Sequence, residues 1–351
     1  TVVGPEAPLV AGVVDRFRAA GLAVVGPTAE AAQLEGSKAF SKDFMIRAGV
    51  PTARYRVVET MEAARAALDE FGFPVVLKAD GLAAGKGVVI AADRAEAEEA
   101  LPRLMGSRLV IEEFLAGEEV SYIVLSDGRN FIPFAPTQDH KNIFDGDKGP
   151  NTGGMGAYRD DRILTAEQAA AVDSQVIAPV LAQMAAEGRP FTGFLYAGLM
   201  MTPTGVRVLE FNVRMGDPET QPLMHGLQSD LAQILLAAAH GDLSGAARFE
   251  WAGGSSVCVV LAAQGYPGTV RTGDMIRGIE AADALGATVF HAGTAEGPDG
   301  LLTAGGRVLG VTASGPDLAQ AIQSAYDAAK WVRFAGMQYR TDIGAKGLRR
   351  Y

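Results

Sequence analysis

Residues 75–87 read Val75-Val76-Leu77-Lys78-Ala79-Asp80-Gly81-Leu82-Ala83-Ala84-Gly85-Lys86-Gly87, an apolar run that ends on a lysine and opens at once into a glycine-rich loop. Such a run, bounded by glycine, predicts a buried strand. The loop gathers flexible backbone amides and a second lysine where an anion can sit. Spacing excludes a Walker P-loop. That motif needs four residues between its glycines and a hydroxyl residue after the lysine, whereas three separate Gly81 from Gly85, and Gly87 follows Lys86. The apolar run Val88 to Ala91 beyond the loop predicts instead a hairpin whose loop folds as a flap over phosphates. The alternative is an ordinary glycine-rich turn.

Outward from this hairpin, Tyr55 to Phe114 alternates strand and helix signals, with a helix over Met61 to Glu70 and another opening at Asp93, where Glu96 stands at capping-box spacing. This predicts a small α/β module. Upstream, Ser37 to Ala48 predicts a helix capped by serine and stopped by Gly49. Val2-Val3, a helix over Leu9 to Ala20, and Leu22 to Val25 predict two parallel strands joined by one crossover, a partial Rossmann-like unit. Downstream, apolar runs flanking Ser126-Asp127-Gly128-Arg129 predict a hairpin, because Asp-Gly accepts positive φ. Thr165 with Gln168 opens a long helix to about Ala186, Phe194 to Met201 pairs with Val206 to Val213, and a helix runs from Asp230 to Ala239. Beyond Gly241, glycine-rich turns, short strands and one amphipathic helix, Asp317 to Trp331, predict a smaller final domain.

Lys78 ends its strand beside the space the loop covers, although strand lysines also serve as edge gatekeepers. Its company suits a nucleotide: Lys38 in Gly36-Ser37-Lys38-Ala39-Phe40, a strand ending Ile111-Glu112-Glu113-Phe114-Leu115, and Glu119 just beyond. Lysines neutralise phosphates, strand backbone meets the adenine edge, and an acid holds ribose hydroxyls. In Leu209-Glu210-Phe211-Asn212-Val213-Arg214, period-two geometry sends Glu210, Asn212 and Arg214 to one face. Glutamate and asparagine oxygens suit a hard cation such as Mg2+ shared with phosphates; the alternative is a half-exposed strand with a polar outer face. Asp217-Pro218-Glu219-Thr220-Gln221 reads as a substrate loop. Gln138-Asp139-His140-Lys141 and the stretch Gly149 to Gly156, with Gly153 and Gly154, allow close backbone approach to a ligand. His140 reads as a binding or structural residue ahead of a general base, since chemistry through an acyl phosphate hardly needs one.

The chain's 351 residues are 48% hydrophobic, enough for two or three cores at about 100–200 residues per domain. A net charge of -10 argues against nucleic-acid or membrane-surface partners, which need a basic face. Uninterrupted apolar stretches fall short of the roughly 18 residues of a membrane span, so a cytoplasmic protein acting on small molecules is expected. Cys258, the single cysteine, lies in the apolar run Val257 to Ala263 and reads as a buried thiol.

Gly4-Pro5-Glu6-Ala7-Pro8-Leu9, Leu34 to Phe40, Lys78 to Gly87, Gln138 to Lys141, Gly149 to Tyr158, Gly193 to Met200 and Glu210 to Gln221 together resemble the glycinamide ribonucleotide synthetase family of the ATP-grasp superfamily. The resemblance spans nearly the whole chain. It implies an N-terminal α/β domain at 1–36, an ATP-grasp domain at 37–247 with its lid at about 55–117, and a barrel-like mixed α/β domain at 248–351. It implies ATP as cosubstrate, Mg2+ or Mn2+ as metal, and glycine and 5-phosphoribosylamine as substrates. Glycine's carboxylate would take the γ-phosphate to form glycyl phosphate, and the amine would displace phosphate to give glycinamide ribonucleotide, a step of purine biosynthesis. By position, Lys38, Lys78, Gly81, Gly85, Lys86 and Gly87 contact ATP phosphates, and Glu112, Glu113, Phe114, Leu115 and Glu119 hold adenosine. Glu210 and Asn212 bind metal, and Arg214, with Lys78, acts on the transferring phosphoryl group. Asp139, His140, Lys141, Gly153, Gly154, Asp217, Pro218, Glu219, Thr220, Gln221 and Glu6 line the acceptor site.

The family's opening strand and its Gly-Gly-Arg-Glu-His-type turn do not precede Thr1, so an incomplete amine site is expected. Leu104 to Leu109 is shorter than the family's lid loop, and Tyr196-Ala197-Gly198 stands where many ATP-grasp enzymes place a second acid. Two rival readings are another ATP-grasp carboxylate-amine ligase or carboxylase, and a non-catalytic ATP-binding module. The latter should have lost the groups that Lys38, Lys78, Glu210 and Asn212 supply.

Overall fold

In the computed structural model, which describes residues 1–82 and 87–349, Val75–Ala79 is a strand with Val75 and Leu77 fully buried. It pairs antiparallel with Val88–Ala91 on one side and Leu109–Glu113 on the other, and Tyr55–Val58 completes a four-stranded sheet. Helices Met61–Phe71 and Arg94–Leu104 bury Leu68, Leu101 and Leu104 against Val75, Leu77, Leu109 and Ile111. Each such side chain contributes about 1.5–3 kcal/mol of apolar burial. Thr60 and Asp93 cap the two helices. The Glu96 carboxylate accepts from Ala92 N, so the reciprocal half of the expected capping box is displaced by one residue.

The chain divides into two compact units. The first comprises Thr1–Phe134, Leu164–Met215 and Asp230–Arg248. Besides the four-stranded sheet it holds the strand Glu118–Asp127, flanked by Phe131–Pro133 and Thr192–Thr202, with Gly205–Asn212 paired to the latter. The helix expected over 9–20 is two helices, Glu6–Val10 and Val13–Ala19, parted at Gly12, whose φ of 80° is left-handed. The expected parallel strands at the start reduce to one bridge between Val2 and Val25. Ser37 caps Lys38–Arg47 by accepting from Phe40 N.

Thr165 and Gln168 form the full capping box of a helical run that passes from Ala166–Val172 through one π-turn, Asp173–Ile177, into Ala178–Ala186. By length and mean hydropathy this is the one run among the described residues that could cross a membrane, which uninterrupted apolar stretches did not signal. Its buried residues Val172, Val176, Ile177, Val180, Leu181 and Met184 form a single stripe, the pattern of a core-facing helix.

The second unit comprises Ala135–Ile163, Gly216–Ser229 and Phe249–Tyr351. Its strands run Thr137–Asp139, Gly156–Arg159, Ser255–Ala262, Arg307–Gly315, Thr288–His291, each antiparallel to the next. The expected barrel-like closure is corrected here: this is an open sheet with a helix on each face. Ser256 donates to Pro222 O of Thr220–Gly226 on one face. On the other, Leu318 of Leu318–Ala329 and Tyr158 both crowd Gly347, and Tyr158 pairs with Val257. A sheet covered on both faces has no interior to close around. Cys258 is fully buried on the strand, as expected.

Candidate active site

Alternation along paired strands puts Lys78, Val110 and Glu112 on one face of the four-stranded sheet, opposite its helix-covered core. Lys78 Nζ lies 3.0 Å from Glu112 Oε1. The capped helix Lys38–Arg47 contributes a lysine the sequence reading missed, Lys42, one turn after Lys38 and on the same helix face. Lys42 Nζ lies 2.8 Å from Glu112 Oε2 and donates to Thr52 Oγ1 at 2.7 Å. One carboxylate, 1% exposed, is thus shared by two buried ammonium groups. Burial pushes Lys42 down to about 8, against the pull of Glu112. The signal available in sequence was the i,i+4 lysine spacing behind the Ser37 cap.

Lys78 Nζ also donates to Leu209 O at 2.9 Å. That carbonyl is available because of a β-bulge: Gly198 pairs with Glu210 and Leu199 with Val208, which leaves Leu209 unpaired in the register. The extra residue shifts the strand's phase, so Val206 and Val208 are buried before it and Phe211 and Val213 after it. Glu210 and Asn212 consequently share the half-buried face. A Cβ on Gly198 would stand 3.3 Å from Glu210 Cγ, so the position expected to carry a second acid leaves room for Glu210 instead.

Lys38 Nζ donates to Gly81 O at 2.8 Å. Its pKa is lowered, first by burial, with Glu210 and Asp80 attracting and Lys78 repelling its charge, which places Lys38, Lys78 and Glu210 in one electrostatic neighbourhood. Asp80 fixes the loop to the helix start: it accepts from Ser37 Oγ at 3.0 Å and Ala39 N at 3.1 Å and pairs with Arg108 at 2.7 Å. Burial raises its pKa, but those partners outweigh it and hold Asp80 below the usual range. Gly81 is left-handed at φ 95°, and Gly87 O accepts from Ala79 N at 2.8 Å, closing the predicted hairpin. Gly85 and Lys86 lie outside the described residues.

Arg214 reaches Glu35 at 3.1 Å, Glu6 at 3.6 Å and Asn212 Oδ1 at 3.3 Å. Glu35, also missed in the sequence, accepts from Val213 N at 2.7 Å, and burial raises its pKa in spite of Arg214. Glu113 turns to Arg54, at 2.7 Å, Phe114 is exposed, Leu115 is half-buried, and Glu119 pairs in register with Met200. Among the described residues no three His, Cys, Asp or Glu side chains gather as a metal cage. The two oxygen donors Glu210 and Asn212 fit a small hard cation that takes its other ligands from phosphate and water.

In the second unit the predicted acceptor segments converge. Thr152 N and Oγ1 both donate to Lys141 O at 2.8 Å, and Gly154 N donates to Thr152 Oγ1 at 2.9 Å. Gly154 has φ 114°, and a Cβ there would collide with Pro218. Asp217 accepts from Gln221 Nε2 at 2.8 Å, and Glu219 is buried. His140 is fully buried; its Nε2 accepts from Gly344 N at 3.4 Å and its Nδ1 has no hydrogen-bond partner among the described residues. Burial, reinforced by Lys346 and Arg340, pushes it down to about 3, so the ring is neutral at physiological pH.

A four-stranded lid-like sheet, a glycine hairpin with lysines at its root and an acid-amide strand facing them define an ATP-grasp enzyme, a class that uses ATP with a divalent metal. Family models for the phosphoribosylglycinamide synthetase N domain, ATP-grasp (A) domain and C domain match residues 1–35, 36–220 and 256–346. The chain belongs to the phosphoribosylglycinamide synthetase family. It is 53% identical over 360 residues to phosphoribosylamine-glycine ligase of Xanthomonas axonopodis pv. citri and 52% over 359 residues to that of Pseudomonas aeruginosa, covering 100% of this chain and 83% of each relative. A crystal structure of phosphoribosylamine-glycine ligase from Thermotoga maritima superposes with a TM-score of 0.84 at 38% identity, over 91% of this chain and 81% of that one. N5-carboxyaminoimidazole ribonucleotide synthetase from the same organism shares the fold, with a TM-score of 0.66 at 19% identity.

Proposed function

We propose that this chain joins glycine to 5-phosphoribosylamine at the expense of ATP, giving glycinamide ribonucleotide, ADP and phosphate in purine biosynthesis. A glycine carboxylate oxygen attacks the γ-phosphorus and ADP leaves. The amine nitrogen then attacks the acyl carbon, the C–O bond to phosphate breaks, and the amine gives up a proton. Lys38 and Lys78 neutralise phosphate oxygens, and Arg214, braced by Glu35 and Glu6, steadies the transferring group. Glu113 to Leu115 and Glu119 hold adenosine, while the Glu112 side chain anchors the lysines. Glu210 and Asn212 hold Mg2+ or Mn2+, which when bound offsets phosphate charge. The segments 139–141, 153–154 and 217–221 line the acceptor site. With a neutral, buried His140, proton transfer falls to no histidine in this scheme, and water exclusion and alignment carry the second step.

The three-domain division, 1–36, 37–247 with the lid at 55–117, and 248–351, belongs to this proposal, as does a cytoplasmic location. The observation that supports the reading most is that Lys38, which donates to Gly81 O, lies within reach of the charges of both Lys78 and Glu210 although the three are far apart in sequence. The test is a mixture of protein, ATP, Mg2+, glycine and freshly generated phosphoribosylamine, read by mass spectrometry. Glycinamide ribonucleotide should form only with every component present. ADP release driven by bicarbonate in place of glycine would point to a carboxylating enzyme, and ATP binding without turnover to a sensor.

A further inference from the structure

Arg307, the first residue of the strand Arg307–Gly315, takes part in no motif quoted from the sequence, yet its guanidinium joins two of the acceptor segments. Nη1 donates to Gly153 O at 2.8 Å and to Asp217 O at 2.7 Å, and Nη2 donates to Asp217 Oδ2 at 2.8 Å. The two segments lie 64 residues apart in the chain, so neither can set the other's position locally. Their glycines are shaped around the contact: a Cβ on Gly153 would stand 3.0 Å from Arg307 Cζ, and one on Gly154 would collide with Pro218. Gly153 N in turn donates to Tyr266 Oη at 3.0 Å, fixing the other side of the loop. Through Thr152 the same loop holds the Lys141 carbonyl. Asp217 ends with both carboxylate oxygens held, Oδ1 by Gln221 and Oδ2 by Arg307. The Gln221 Oε1 atom is buried without a hydrogen-bond partner among the described residues.

We infer that Arg307 is a positioning residue for the acceptor site, clasping the Gly153-Gly154 and Asp217 loops in the register that binds the small-molecule substrates. The inference rests on the proposal that those loops line that site. A planar fork that donates to two carbonyls and a carboxylate at once is a geometry that lysine cannot copy. Arg307 is not among the residues assigned to the ATP phosphates, so its loss should separate acceptor binding from nucleotide binding.

The experiment measures steady-state KM for glycine, phosphoribosylamine and ATP in the full chain carrying Arg307→Met, Arg307→Lys, Gly153→Ala or Gln221→Ala. The expected result is a rise of about 10-fold or more in KM for an acceptor substrate in Arg307→Met, as expected when a charge-assisted clasp is lost. KM for ATP should stay within about 2-fold, and Arg307→Lys should not restore binding. Gly153→Ala, which crowds the guanidinium without removing it, should move the same constant in the same direction and serves if Arg307→Met does not fold. Rescue by lysine would overturn the inference, as would an equal rise in KM for ATP. If Gln221→Ala raises an acceptor KM while Arg307→Met and Gly153→Ala do not, the clasp is refuted and the loop assignment stands. If none of the four moves an acceptor KM, the loop assignment itself fails.

Discussion

Replacing Glu112 by glutamine keeps the side chain's shape and removes the one charge that Lys42 and Lys78 share. Glu112, Lys42 and Lys78 are 1%, 2% and 6% exposed, so water cannot stand in for the lost carboxylate. Breaking a buried ion pair by removing one partner costs about 3–5 kcal/mol, because an uncompensated charge stays behind. At about 2–4 °C per kcal/mol, the transition of the first unit should fall by roughly 6–20 °C near neutral pH. The pH dependence gives a sharper signature. In the wild type Lys42 titrates at about 8 when folded, below its ordinary 10.5, so the unfolded chain binds more protons and stability rises with pH above about 8. Without Glu112 the attraction that supports the proton is gone, Lys42 titrates lower still, and the variant begins that rise earlier. The deficit should therefore narrow as pH climbs toward about 8 and hold steady above it. Scanning calorimetry of both proteins between pH 6 and 9.5 tests this. A midpoint unchanged at neutral pH, or a deficit that widens over that range, would refute the shared-carboxylate account.

Lys78→Ala should lower kcat by roughly 100-fold or more, the scale of losing one charge partner of the transition state, and single-turnover ADP release would read it; normal turnover would remove Lys78 from the chemistry. Gly154→Ala should destabilise the second unit by about 1–3 kcal/mol, since a methyl there meets the Pro218 ring at a left-handed φ of 114°. Urea unfolding followed in that unit checks it, and a wild-type midpoint would count against the close approach. Burial pushes the Cys258 thiol up to about 12, so iodoacetamide at pH 8 should label the native chain negligibly and the urea-unfolded chain completely. Rapid native labelling would contradict its burial.

Local chemistry was legible in the sequence alone. An apolar run bounded by glycine marked the strand Val75–Ala79, alternation over Glu210 to Arg214 marked the end of Gly205–Asn212, and Ser37, Thr165 and Asp317 marked helix starts that the fold uses as caps. These signals are readable because hydrogen-bonded caps and side-chain alternation depend only on near neighbours. Resemblance, carried by several motifs at once, supplied the family. Residues 9–20 misled because an apolar helical period continues across Gly12, where the backbone turns left-handed.

What needed tertiary structure was every meeting between distant segments. Lys42, Glu112 and Lys78 come from a helix and two strands, and only their packing makes one carboxylate answer two lysines. The bulge at Leu209 turns a carbonyl toward an ammonium 131 residues away, and no local period announces it, since a bulge is defined against its partner strand. Arg307 is silent in sequence for the same reason: its place is set by the strand it begins and the loops it reaches, and both are known only once the chain has closed those long loops on itself.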